Sequence, residues 1–112
     1  GIERESGSLL HKIFEEELGT SGNVSILSGP TFVMEVARKK PTAAVIASVN
    51  PELGNHIQDM MNGPRFRLYR SKDLIGVQLA GAVKNVLAIA AGIAEGMQLG
   101  LNAKAALICR GL

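Results

Sequence analysis

The chain has 112 residues, of which 46% are hydrophobic and 20% are charged, a balance typical of one modest domain with a hydrophobic core. Its formal net charge is only +2, so bulk electrostatics gives no reason to expect binding to nucleic acid or to a membrane surface. A single cysteine excludes an internal disulfide and indicates a reducing cytoplasm. Cys109 lies in an apolar stretch, so we interpret it as a small core residue.

The first 70 residues predict alternating helices and strands, the pattern of an α/β fold with short crossovers. The predicted elements are a helix over 6–18, a strand over 24–27, a helix from residue 32, a strand over 42–49, a helix over 51–62 and a strand over 65–70. One face of the first helix is apolar and comprises Leu9, Leu10, Ile13, Phe14 and Leu18. The third helix is expected to turn an apolar face inward that comprises Leu53, Ile57, Met60 and Met61.

After Ser71 the character of the sequence changes, because the remaining residues are rich in Ala and Gly and predict helices only. We place a domain boundary near residue 72, with Ser71 or Asp73 capping a long helix and Asn102 capping the next. Charged and amide side chains interrupt the long helix. Its longest stretch without them, 86–94, is far below the roughly 20 residues of a membrane span. We therefore expect a core helix.

Several motifs are absent or uninformative. No GxGxxG or GxxxxGK[ST] loop occurs in the printed sequence, and the polar first residues do not resemble a signal peptide. Glycines recur at positions 92, 96 and 100, which favours close helix packing or a weakening helix end. His11 and His56 have no metal-ligand spacing with Cys, His or acidic residues, so no metal site and no functional role are expected for either.

Lys84 and Asn85 are unusual occupants of the long apolar helix. At helical spacing, Gly81 and Ala88 lie beside Lys84 and leave room for a ligand to approach. A buried ammonium is costly without a partner, and burial favours the neutral form that a general acid/base must reach. The alternative is a structural lysine that extends to the surface or pairs with a distant carboxylate.

The turn Ser28-Gly29-Pro30-Thr31-Phe32 is a second candidate site. Gly29 permits close backbone approach, and a helix N-terminus presents free N–H groups to a ligand. In α/β proteins ligands bind at the carboxyl ends of strands, which is where this turn lies. The alternative is a plain Gly-Pro turn in which Thr31 caps the helix.

Taken together, three motifs resemble the bacterial NAD(P)-dependent glycerol-3-phosphate dehydrogenases. They are SGPTF at 28–32, IGVQLAGAVKNV at 75–86 and NAKAALICRGL at 102–112, and the opening GIERESGSLL is similar too. The resemblance covers essentially the whole chain. It implies the last strands and helices of a Rossmann-type dinucleotide-binding domain over 1–72, followed by the first helices of an all-α substrate domain over 73–112.

The resemblance also implies roles for particular residues. Lys84 corresponds to the catalytic acid/base and Asn85 to its substrate-binding neighbour. Gly29 and Thr31 correspond to positions that contact glycerol phosphate, and Val33 to a cofactor contact. Thr31 replaces the more frequent serine of the family and keeps its hydroxyl, whereas Val33 replaces alanine, which suits a contact made through the backbone.

The implied function is reversible hydride transfer between NAD(P)H and dihydroxyacetone phosphate, with NAD or NADP as cofactor, in a cytoplasmic homo-oligomer. The sequence lacks an initial Met and ends within a helical pattern, so we expect a fragment. We expect it to be inactive alone because it lacks the GxGxxG cofactor fingerprint. Two alternatives are a related hydroxyacid or 6-phosphogluconate-like dehydrogenase, and a non-catalytic α/β interaction module in which Lys84 is structural.

Overall fold

A computed structural model describes residues 1–111, and the predicted order of strands and helices in the first part of the chain is confirmed. The elements are α1 (Leu10–Leu18), β1 (Ser25–Ser28), α2 (Val33–Ala37), β2 (Thr42–Ser48), α3 (Pro51–Met61), β3 (Phe66–Ser71), α4 (Leu74–Gly96) and α5 (Gly100–Gly111). The chain divides into two compact units, Gly1–Leu79 and Ala80–Leu112, so the division falls within α4. The predicted domain boundary near residue 72 stays a prediction.

The first unit contains a three-stranded sheet in the order β1-β2-β3. Strand β2 is parallel to β3, with Thr42 opposite Phe66, and antiparallel to β1, with Ser48 opposite Ser25. Because β2 is the central strand, it loses the most surface to its neighbours. Its residues Ala44, Ile46 and Ala47 are 3%, 3% and 0% exposed. The apolar stretch at 43–47 reflects this position.

The hydrophobic core of the first unit lies between the sheet and α3. Ala44, Ile46 and Leu68 form its centre, and Ile57 and Phe66 pack against it. Two polar side chains of this region, Gln58 and Asn62, bind the backbone of Leu68 at 2.7 and 2.8 Å. The prediction that Met60 and Met61 point inward is wrong, because they are 68% and 38% exposed.

Helix α1 is shorter than predicted and packs through a different residue. It begins at Leu10 because the preceding residues form a turn, with Gly7 at a φ of 69°, and Leu9 bridges to Ile2. Phe14 and Leu18, which belong to the predicted apolar face, are 53% and 64% exposed within this unit. The buried residue of the helix is His11, at 7% exposure.

His11 pairs with Gln78, a residue of α4 that also belongs to the first unit. The Gln78 side chain is 2% exposed. Its Nε2 lies 2.9 Å from the carbonyl oxygen of Leu74 and 2.7 Å from Nδ1 of His11. The amide nitrogen must face the Leu74 carbonyl, since two oxygens would repel. It therefore donates to an unprotonated Nδ1 of His11.

We expect His11→Leu to lower the free energy of unfolding by about 1–3 kcal/mol, because it removes a buried partner of Gln78. The matched control is His56→Leu, since His56 is exposed and should change stability by about 0.5 kcal/mol or less. Urea unfolding followed by circular dichroism measures both values. Equal losses in the free energy of unfolding for His11→Leu and His56→Leu would contradict a stabilising role of the buried His11–Gln78 pair.

The structure tests the predicted caps of α4 and α5. Asp73 caps α4 as expected, because its Oδ1 accepts from the Gly76 N–H at 2.7 Å. Asn102 does not cap α5, which already begins at Gly100. A Cβ added at the glycines of positions 92, 96 and 100 would meet nothing within 4 Å among the described atoms. Nothing among the described residues packs closely against these glycines, so the choice between close helix packing and a weakening helix end stays a prediction.

The second unit leaves much apolar surface exposed. Side chains of α4 and α5 that are more than half exposed include Val86, Ile89, Ile93 and Leu101. Cys109 is also exposed within the described residues, so the prediction of a core cysteine is wrong for this part of the chain. Leu87 of α4 contacts Gly111 of α5, where a Cβ would have no room.

Helix α4 is long and apolar enough to cross a membrane by length and composition, and 11% of its most apolar 18-residue window is buried. Core helices of water-soluble proteins meet the same criterion. The helix carries Lys84 near its middle and Glu95 near its end. The expectation of a core helix stays a prediction, because most of α4 is uncovered in the described residues.

Candidate active site

The SGPTF turn joins β1 to α2, and Gly29 is essential to its path. Gly29 adopts a φ of +153°, and a Cβ at this position would lie 2.9 Å from the Cα of Ala44 and 3.1 Å from the carbonyl oxygen of Ala43. The close backbone approach predicted for Gly29 is therefore used to place the turn against the central strand β2. This contact fixes the backbone that follows, including Thr31.

Thr31 does not cap α2, so the alternative interpretation of this residue is wrong. The helix begins at Val33, its cap position is Phe32, and no side chain bonds there. The Thr31 hydroxyl makes one long contact, donating to the carbonyl oxygen of Gly29 at 3.5 Å. The residue is half-buried, and its hydroxyl keeps nearly all of its hydrogen-bonding capacity for another partner.

Val33 lies at the exposed start of α2. Its side chain is 77% exposed, and its neighbours Phe32 and Met34 are 68% and 61% exposed. As the first residue of the helix, Val33 has an N–H without an intrahelical partner. A ligand contact through this N–H does not depend on whether the side chain is alanine or valine.

Lys84 and Asn85 lie near the middle of α4, in the second unit. Both are exposed, as are the flanking small residues Gly81 and Ala88. Residues 1–111 contain one ion pair, Lys104 with Glu95, so Lys84 does not pair with a carboxylate there. The small neighbours leave the expected space beside Lys84, but the burial that the sequence argument required is absent from the described residues.

The ion pair of the second unit joins α4 to α5. Lys104 donates a hydrogen bond to Glu95, and this bond, together with the charge of the ammonium, holds the pKa of the Glu95 carboxyl below its usual value. A lowered pKa in the folded state means that the pair stabilises the fold above the ordinary carboxyl pKa. This contribution is lost as the pH falls through the lowered pKa.

Each unit carries one half of the predicted site. Gly29, Thr31 and Val33 come together in one turn of the first unit, and Lys84 and Asn85 are neighbours on one helix of the second. No group of three or more His, Cys, Asp or Glu side chains in the described residues could hold a metal ion. The absence of a metal site from the protein stays a prediction.

Sequence reasoning missed the pairing of His11 with Gln78. Gln78 stands out as an amide in an apolar helix, but its helical spacing also placed it on a row beside Lys84. The structure separates the two roles, since Gln78 is buried against α1 whereas Lys84 is exposed. No residue near Gln78 in the sequence shows that its partner is His11, which lies 67 residues away on α1.

Comparison with known proteins gives consistent matches along the chain. Residues 1–54 match the N-terminal model of NAD-dependent glycerol-3-phosphate dehydrogenase, and residues 73–112 match its C-terminal model. Glycerol-3-phosphate dehydrogenase [NAD(P)+] of Thioalkalivibrio sulfidiphilus is 50% identical over the whole chain, and that of Paucimonas lemoignei is 51% identical. The chain spans 34% and 33% of these relatives.

Solved structures agree with the sequence matches. The crystal structure of glycerol-3-phosphate dehydrogenase from Coxiella burnetii is 46% identical with a TM-score of 0.84, and the match covers 99% of this chain and 34% of that one. The Saccharomyces cerevisiae enzyme is 28% identical with a TM-score of 0.83, covering 99% of this chain and 33% of the other.

Proposed function

Because the chain belongs to the NAD(P)-dependent glycerol-3-phosphate dehydrogenase family, we propose that it is part of an enzyme that reversibly reduces dihydroxyacetone phosphate to sn-glycerol 3-phosphate. The longer protein that contains this chain is called the intact protein below. The observation that carries the proposal is the Lys84-Asn85 pair, which lies beside small residues in a motif of this family. The SGPTF turn supplies the second part of the site.

Lys84 is the proton donor in this proposal. Reduction of the substrate ketone adds a hydride to C2 and a proton to its oxygen, and the protonated Lys84 amine donates that proton. In the reverse direction, the neutral amine accepts the hydroxyl proton as the hydride leaves C2. An ammonium beside the carbonyl oxygen also stabilises the negative charge that develops there.

The remaining site residues bind and orient the substrate. The Asn85 amide can both donate and accept, which suits a hydroxyl or carbonyl next to the reacting carbon. We infer that the Thr31 hydroxyl and the backbone at Gly29 contact the glycerol phosphate group. Two observations support this: the turn is held against β2, and the hydroxyl lacks a strong internal partner.

The cofactor NAD(P)H supplies the hydride when it is bound. The residues of this chain fit one contact to it, the backbone N–H at the exposed start of α2, where Val33 lies. A phosphate-cradling glycine motif does not occur among the 112 residues, so they do not form a complete dinucleotide site.

A substrate panel on the intact protein tests the proposed function. Oxidation of NADH or NADPH is followed at saturating cofactor with dihydroxyacetone phosphate, and reduction of NAD or NADP with 6-phosphogluconate and short 2-hydroxyacids. Turnover with dihydroxyacetone phosphate and not with the others is expected. Turnover with a hydroxyacid or 6-phosphogluconate alone supports the related dehydrogenase, and no turnover with any substrate supports a non-catalytic interaction module.

We expect the 112-residue chain alone to be inactive and to self-associate, because it lacks the cofactor motif and exposes much of the apolar surface of α4 and α5. In the intact protein, we infer that this surface is covered and that the enzyme is a cytoplasmic homo-oligomer. Static light scattering of the isolated chain tests the first expectation. A monomer at micromolar concentration would contradict it.

A further inference from the structure

A basic cavity lies at the amino end of the parallel strands β2 and β3. Lys39 and Lys40 lie in the connection between α2 and β2, and Arg65 immediately precedes β3. Because Thr42 is opposite Phe66 in the parallel register, the two connections lie side by side. This is the end of the two strands opposite to the one from which α3 and α4 continue.

Backbone hydrogen bonds hold both walls of this cavity in place. The Thr42 N–H donates to the carbonyl oxygen of Arg65 at 2.8 Å, and the Thr42 hydroxyl donates to the carbonyl oxygen of Lys40 at 3.0 Å. Gly63 and Phe66 exchange two backbone bonds of 2.9 and 3.2 Å. The cavity is therefore formed by fixed backbone rather than by side chains alone.

The cavity combines an apolar wall with positive charge. Its volume is about 380 Å³, and it is lined by Val36, Lys39, Lys40, Gly63, Pro64, Arg65 and Phe66. The half-buried Val36 and Phe66 form the apolar part, together with Pro64. In residues 1–111 the only ion pair is that of Lys104 with Glu95, so the three cations at the cavity have no carboxylate partner there.

The backbone at Lys39 is a second unusual feature. Lys39 follows the last turn of α2 and adopts a φ of +57°. Its N–H donates to the carbonyl oxygen of Val36, and the N–H of Lys40 donates to the carbonyl oxygen of Glu35, each at 2.9 Å. This hydrogen-bond pattern ends many helices, and glycine is the usual residue at the position that Lys39 occupies. A lysine here keeps a side-chain charge at the cavity at a cost in backbone strain.

We propose that this cavity binds a small phosphorylated metabolite that carries a compact apolar group. Arg65 can bind two phosphate oxygens at once, and the two lysines add point charges beside it. The cavity is open to solvent, since Lys39, Lys40 and Arg65 are exposed, and its volume exceeds the need of a free phosphate ion. We assign the apolar wall to the rest of the ligand. The cavity shares no residue with the candidate active site.

Two matched glycine variants test this proposal in the intact protein. Lys39→Gly relieves the backbone strain and removes the charge. Gln98→Gly relieves the same strain at the end of α4, where Gln98 has a φ of +54° and the same hydrogen-bond pattern. Both variants should raise the thermal midpoint by about 1–2 °C, so neither can lose binding by unfolding.

The probe is phenyl phosphate, titrated calorimetrically into the intact protein saturated with NADH and sn-glycerol 3-phosphate, so that the active site is occupied. Lys39→Gly is expected to weaken binding of phenyl phosphate about tenfold, because it removes one charged contact, and Gln98→Gly to leave it unchanged. Lys40→Ala should weaken it similarly and Lys40→Arg should retain it. No measurable binding at millimolar phenyl phosphate, or equal binding by Lys39→Gly and the unmodified protein, would overturn the proposal.

Discussion

Replacing Lys84 with alanine in the intact protein is expected to lower kcat for dihydroxyacetone phosphate reduction by about 10²–10⁴-fold, the usual contribution of a positioned general acid. The dissociation constant of NADH should change little, because the proposed cofactor contact of this chain lies at Val33, in the turn that starts α2. Steady-state kinetics and a fluorescence titration with NADH measure the two quantities.

The matched control for Lys84 is Lys12→Ala, which removes an exposed lysine from α1 in the first unit. Its kcat should stay within about twofold of the unmodified protein, since exposed substitutions away from a site usually have small effects. An active Lys84→Ala variant would contradict the assignment of the proton donor. A large loss in both variants would show that kcat responds to the removal of any lysine.

Replacing Gly29 with alanine is expected to destabilise the intact protein by about 2–4 kcal/mol, because two costs combine. The new Cβ would lie 2.9 Å from the backbone of Ala44, and the φ of +153° is one that side chains rarely adopt. Urea or thermal unfolding measures the loss. The same substitution should also lower activity, since Gly29 belongs to the proposed substrate turn.

Gly7→Ala separates the two costs. Gly7 also has a positive φ, +69°, but a Cβ there would meet nothing within 4 Å. Its loss of stability should therefore reflect backbone strain alone, about 1 kcal/mol. Equal losses at Gly7 and Gly29 would show that the contact with Ala44 is relieved without cost.

The sequence predicted the order of the elements well because that order depends on local periodicity and on turn residues. The largely apolar run at 42–49 identified the central strand, and Pro51 identified the start of α3. The Asp73 cap was also predicted, because it depends on residues close in the sequence. Asn102 was misplaced because the chain re-enters a helix two residues earlier, at Gly100.

What the sequence could not predict depends on partners distant along the chain. His11 is buried because Gln78, 67 residues away, bonds to it, and no periodic pattern on α1 shows this. The constraint on Gly29 comes from Ala44 on the neighbouring strand. Met60 and Phe14 fit the apolar pattern of their helices, but exposure depends on which face another element covers.

The part of the candidate site on α4 also combines a feature that the sequence shows with one that depends on distant contacts. The motif around Lys84 and Asn85 was visible in the sequence because polar residues stand out in an apolar helix, and the structure retains the space beside them. The expected burial of Lys84 is not a local property. It depends on what covers α4 in the intact protein.

Chemical rescue of Lys84→Ala by added primary amines tests the proton-transfer claim most directly. In the proposed site, truncation removes the amine that donates the proton, and a methylammonium ion from solution can take its place. With saturating NADH and dihydroxyacetone phosphate, kcat of the variant should rise with methylammonium concentration, while the unmodified protein stays constant. A rate that does not change with methylammonium, in a variant that still binds NADH and dihydroxyacetone phosphate normally, would contradict the role of Lys84 as proton donor.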